Sequence, residues 1–213
     1  MSINHHPDDA TLLSYAAGSL PESFEILVGC HIESCARCQA RVAEAESLGA
    51  ALVELMPTTQ MDNSRDRFLA LLDQEIVTES EAKGLERTQR IPAQLRQLLD
   101  HGDEQLEWKR LVPGIQQIRL DTQDGGLRLL KIAPGISIPL HTHAGSELTM
   151  ILQGSYSDEI GRFCKGDVSD LDPDIEHQPI TDGAAPCICL VATDAPLRFR
   201  GLLPKLLQPF TGF

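Results

Sequence analysis

The chain has 213 residues, 31 acidic against 18 basic, and a formal charge of −13, a balance that argues against direct binding to DNA or RNA. Apolar residues make up 42%, enough for real cores, but every apolar run breaks well before the ~18 residues that a bilayer-crossing helix needs. The start, MSINHHPDDATLL, has neither a basic n-region nor an apolar h-region, so the expectation is a cytoplasmic globular protein of one to two domains without a membrane span.

In chain order, Asp8 or Asp9 can cap a first helix carrying Leu12, Leu13 and Ala16, which Gly18 and Pro21 end. A second helix begins near Glu22, with Phe24, Leu27, Val28 and His31 on one face at i, i+3, i+4 and i+7. Val42–Met56 and Arg65–Ile76 continue the helical texture across a break at Pro57, giving a count of four. The charged stretch that follows, with Gly84 and Pro92, reads as a linker, and the division expected is a helical domain at 1–85, a linker at 86–94 and a second domain at 95–213. In that second part, the short runs Ile115–Leu120, Leu127–Ile132, Glu147–Leu152 and Cys187–Ala192 are separated by Gly, Pro and Asp, as in an antiparallel β sandwich or barrel. Charge divides unevenly: residues 1–85 hold 14 acidic and 5 basic side chains, a field that favours a basic partner.

Six cysteines occur at 30, 35, 38, 164, 187 and 189, and in a reducing compartment metal binding is considered before disulfides. His31, Cys35 and Cys38 form H-x3-C-x2-C; on one continuous helix these offsets fall within about 60° of each other. Zinc in a closed structural site takes four tetrahedral imidazole or thiolate ligands, and His6 or His5 can supply the fourth. His6 is preferred because it directly precedes Pro7. Cys30 is off that face and reads as structural. The run H-P-D-D-x5-Y-x2-G at positions 6–18, followed by H-x3-C-x2-C, resembles the zinc-binding anti-sigma domain over roughly residues 1–80. That resemblance implies zinc on His6, His31, Cys35 and Cys38, and a partner that is a sigma factor of the extracytoplasmic-function type.

The segment Gly135–Gly154 carries H-x-H-x3-E. His141 and His143, at i and i+2, share one face of a strand, and the Ala144-Gly145-Ser146 turn brings Glu147 back toward them. His177, after the turn-like Asp172-Pro173-Asp174, is the candidate fourth ligand. Nitrogen and carboxylate donors together suit Zn, Fe, Mn or Ni. The segment is similar to the first cupin motif, G-x5-H-x-H-x3-E-x6-G, and the resemblance extends over about residues 100–200. The second cupin motif departs, with Pro173 four residues before His177 and Ile175 where glycine is usual. The resemblance implies a divalent metal, zinc foremost, on His141, His143, Glu147 and His177. Cys187 and Cys189 alternate along a strand and read as buried structural thiols; Cys164 and His101 receive no function.

Taken together, the two motifs resemble the ChrR group of cytoplasmic anti-sigma factors. The implied fold is α plus all-β: a four-helix zinc-binding anti-sigma domain, then a cupin β-barrel or jelly roll. The implied function is inhibition of a sigma factor, with the cupin domain needed for its release under oxidative stress such as singlet oxygen, and no enzymatic activity. The alternative is a metal-dependent cupin enzyme, a dioxygenase or isomerase, carrying a helical zinc module.

Overall fold

A computed structural model describes residues 3–58, 64–72, 93–104, 106–143, 145–171, 176–195 and 197–199. Helix α1 spans Asp9–Ala16; the Asp8 carboxylate caps it by accepting the Thr11 N–H at 2.6 Å, satisfying one of the donors that a helix start leaves free. Helix α2, Glu22–Ser34, starts directly after Pro21, whose fixed φ suits a helix entry. Helix α3 spans Ala36–Glu54, α4 Ser64–Leu72 and α5 Ala93–His101. The described residues thus hold five helices, not the expected four. The additional one, α5, is short and buries Leu95 and Leu98 at the expected entry to the β domain. Of the expected linker, residues 86–92 lie outside the described residues, and Ala93 and Gln94 are already helical.

The junction between α2 and α3 corrects a second expectation. Cys35 has extended backbone (φ −119°, ψ 97°), so H-x3-C-x2-C does not lie on one helix. His31 rides on the last turn of α2, Cys35 sits at the corner, and Cys38 lies in the first turn of α3.

Eleven strands follow among the described residues. Strands β1 (Lys109–Val112), β2 (Ile115–Leu120), β3 (Gly126–Ile132), β5 (Glu147–Gln153), β8 (Val168–Leu171) and β10 (Cys187–Thr193) form one antiparallel sheet ordered β1-β2-β3-β10-β5-β8. Strands β4 (His141–His143) and β11 (Leu197–Phe199) pair separately, and β6 (Ser155–Ser157), β7 (Arg162–Cys164) and β9 (Ile180–Thr181) form a three-stranded sheet. Among the described residues these sheets do not close into a barrel, one of the two forms expected, the other being a jelly roll. Gly154, at φ +75°, turns the chain sharply between β5 and β6, a backbone conformation that only glycine adopts freely, so pairing passes to a second sheet.

Strand β10 is buried along its whole length, and its two faces belong to different cores. Ile188, Leu190 and Ala192 join Leu127 and Leu129 of β3, Leu148 and Met150 of β5, and the apolar side chains of α1, α2 and α5. Cys187, Cys189 and Val191 face the other way, among Leu130, Ile151, Tyr156 and Phe163. The period-2 alternation of a strand produces this division. Helices α1, α2 and α5 therefore share a core with one face of the large sheet, and the α2–α3 corner is set beside the turn that leads into edge strand β8.

Candidate metal centre

Two histidines and two cysteines converge where α2 meets α3. The donor atoms of His6, His31, Cys35 and Cys38 all lie within 4.8 Å of one another. His6 Nδ1 is 3.4 Å from His31 Nε2, 3.4 Å from Cys35 Sγ and 3.5 Å from Cys38 Sγ, and His31 Nε2 is 3.3 Å from Cys38 Sγ. Tetrahedral bonds of about 2.0 Å to nitrogen and 2.3 Å to sulfur separate the donors by roughly 3.3–3.8 Å. The donor spacing thus fits a small four-coordinate ion such as zinc.

The hydrogen bonding supports the same fit. His31 Nδ1 lies 2.9 Å from the Gly166 carbonyl oxygen, which can only accept, so Nδ1 carries the proton and Nε2 turns its lone pair toward the other three ligands. Desolvation by burial lowers the pKa of both His31 and His6, favouring the neutral imidazole that a metal requires. Burial and the neighbouring Cys35 push the Cys38 thiol up to about 12; a cation among these ligands reverses that balance by stabilising the thiolate. Of the two candidates for the fourth position it is His6 that joins the group, while the His5 ring lies against Phe163 with centroids 4.3 Å apart.

His141 and His143 are the ends of β4, paired with Phe199 and Leu197 of β11; their side chains, and the Asp172-Pro173-Asp174 turn, lie outside the described residues. Glu147 opens β5, is buried, and accepts a hydrogen bond from Thr149 Oγ1 at 3.2 Å. His177 is buried, with Nδ1 3.2 Å from Asp158 Oδ2. Burial alone would raise the Asp158 pKa, but the bonds from His177 and from the Ile160 and Gly161 N–H groups outweigh it and hold the carboxyl below its ordinary value. A carboxylate behind one ring nitrogen orients the other, the arrangement commonly found behind a ligating histidine. Among the described residues the only group assembled for a metal is the amino-terminal one. Asp158 and Gly166 were not foreseen, since neither belongs to a recognisable spacing.

Fold and site together define a helical module with a two-His, two-Cys centre, docked on an antiparallel β domain. Residues 101–196 match the ChrR cupin-like domain family. The chain is 40% identical over 212 residues, 99% of each sequence, to the anti-sigma-E factor ChrR of Cereibacter sphaeroides. A crystal structure of Rhodobacter sphaeroides SigE in complex with the anti-sigma ChrR matches 91% of this chain and 100% of that chain, at 36% identity and a TM-score of 0.73. The chain belongs to the ChrR family of anti-sigma factors, regulators rather than enzymes. No helix among the described residues is long and apolar enough to cross a membrane.

Proposed function

We propose that this chain binds and inhibits a sigma factor of the extracytoplasmic-function type through its helical module, and that its cupin domain is needed for release of that factor under oxidative stress such as singlet oxygen. The module at 1–85 holds zinc on His6, His31, Cys35 and Cys38. The domain at 95–213 holds a second divalent metal on His141, His143, Glu147 and His177, zinc foremost, with Mn, Fe and Ni as the other candidates. Sigma factors meet RNA polymerase in the cytoplasm, so the reading carries a cytoplasmic location.

The observation that carries it is an apolar stripe left open on α3. Leu48 and Leu52 are each 57% exposed and Leu55 is 81% exposed, and their spacing of i, i+4 and i+7 makes one face. Val53 and Met56 flank it, and Phe68 and Leu69 of α4 add further exposed apolar surface. Contiguous apolar surface of this kind marks a protein partner. The acidic excess of residues 1–85 selects a basic one and speeds the encounter. The relative whose structure this chain matches was solved with SigE bound.

Co-expression with an extracytoplasmic-function sigma factor from the same genome tests the proposal. The expected result is a stable one-to-one complex containing zinc, and repression of the sigma factor's target promoter. A folded, zinc-loaded chain that captures none of the genome's sigma factors of this type would overturn it.

A further inference from the structure

The cupin-like domain reaches into the metal site of the helical module through a single turn. Between β7 and β8, Gly166 has φ +94°, and a Cβ there would approach Ile3 Cγ1 to 2.9 Å. Only glycine suits this position, on grounds of both conformation and space. Its carbonyl accepts the His31 Nδ1–H. The next residue, Asp167, is 1% exposed. Its Oδ1 accepts the N–H groups of Asn4 at 2.7 Å and His5 at 3.0 Å, and its Oδ2 accepts the Cys164 N–H at 2.8 Å. The Val168 N–H donates to the His5 carbonyl at 3.1 Å. His6 is therefore carried on a segment whose preceding residues are bonded to the β domain. After it, the Asp8 N–H and Thr11 Oγ1 donate to Asp170 Oδ2 at 3.0 and 2.9 Å.

The turn is itself fixed to the large sheet. Gly166 N–H donates to the Ile151 carbonyl at 2.8 Å, and the Ile151 N–H to the Asp167 carbonyl at 3.0 Å. Ile151 belongs to β5, the strand that begins at Glu147. One ligand, His31, is thus oriented by the β domain directly, and another, His6, is held by a strap that the β domain grips on both sides.

We propose that Gly166 and Asp167 form the outer shell of the amino-terminal metal site, so that docking of the β domain sets how tightly the helical module holds its metal. The proposal rests on the reading of His6, His31, Cys35 and Cys38 as ligands. Gly166 fixes the tautomer and ring direction of His31; Asp167 is a positioning residue for His6. Partners of this kind change metal affinity by about 10–100-fold when removed. Asp124 serves as a control. It accepts the Glu22 N–H at the start of α2, joining the helices to the β2–β3 loop without contact to the ligands or their strap.

The test uses the full-length protein, titrated with zinc against a chromogenic chelator. Asp167→Asn, which turns an amide N–H toward backbone donors, is expected to weaken zinc binding at least about 10-fold, while Asp124→Asn stays within about twofold of wild type. Equal affinity for wild type and Asp167→Asn, or an equal loss in Asp124→Asn, overturns the proposal while leaving the ligand assignment standing. A wild-type chain that binds no zinc overturns the ligand assignment itself. Should Asp167→Asn fail to fold, nitrogen-15 NMR of the zinc-loaded wild type decides. His31 must show a metal-bound Nε2 and a slowly exchanging Nδ1–H; binding through Nδ1, or an Nδ1–H that exchanges immediately, refutes the link to Gly166.

Discussion

Asp182 ties together the three-stranded sheet. It accepts Ser155 Oγ at 2.5 Å, Ser157 Oγ at 2.8 Å and Arg162 Nε at 2.8 Å, joining β6 and β7 to the residue that follows β9. Burial opposes its charge, but the bonds from Ser155, Arg162 and Ser157 prevail and hold its pKa at about 2. A carboxylate with a depressed folded-state pKa contributes stability that is fully present above its unfolded value near ~3.9 and is lost as pH falls through the folded value. Asp182→Asn is expected to lower stability at pH 7 by about 1 kcal/mol, once solvent screening of this partly exposed site is allowed for. The difference from wild type should shrink between pH 4 and pH 2, which denaturant unfolding at several pH values measures. A pH-independent difference would show that the charge is not the cause. Nothing in the spacing of these four residues signals the cluster, because they meet only when three strands pair. By contrast, the buried state of Cys187 and Cys189 was legible in their alternation. Burial pushes Cys187 up to about 12 and Cys189 well above its ordinary value, so both remain thiols at neutral pH.

At the scale of elements, α3 is the least conventional. Only Cys38 and Val42 are buried in its 19 residues, so its far half projects Leu48 and Leu52, with the C-cap residue Leu55, away from the core. Under the sigma-binding proposal, Leu48→Asp with Leu52→Asp should abolish capture of the sigma factor, since central apolar anchors contribute about 2 kcal/mol or more each. The fold should be little affected, because exposed positions alter stability by only about 0.5 kcal/mol. Unchanged affinity by calorimetry would remove this face from the interface. The starts of α1 and α2 were legible, the first from a cap at Asp8 or Asp9 and the second from the apolar period that begins near Glu22, and the four longest strands from their apolar runs. The start of α3 was not, because Ala36–Arg41 lacks a cap signal and the break at Cys35 is local backbone geometry. Nor was α5, nine residues long, too short for periodicity to distinguish from a strand.

For the whole molecule, the proposed function separates holding the sigma factor from releasing it. If the cupin domain reports the stress, His141→Ala with Glu147→Ala should leave repression intact in unstressed cells and blunt induction by singlet oxygen several-fold. The measurement is target-promoter output in strains carrying matched amounts of protein. An equal rise in both strains would exclude the cupin residues from release. The route for such a signal is short, since β5 begins at Glu147 and its Ile151 is hydrogen-bonded to the turn that contacts His31.

The candidate ligands, their spacing and the change from helical to strand texture are legible in the sequence, because these depend on neighbours within a few residues. The four residues it offers as ligands, His6, His31, Cys35 and Cys38, are ones whose donor atoms the fold brings within 4.8 Å of one another. It takes the folded chain to show that the described sheets stay open and that α1, α2 and α5 share a core with one face of β10. A linker is expected to divide the chain; in the folded molecule, the two-His, two-Cys cluster lies where the helices meet the β7–β8 turn. The physical reason is distance along the chain: the His31–Gly166 bond spans 135 residues, and no local pattern encodes which turn of a distant sheet an imidazole N–H will find.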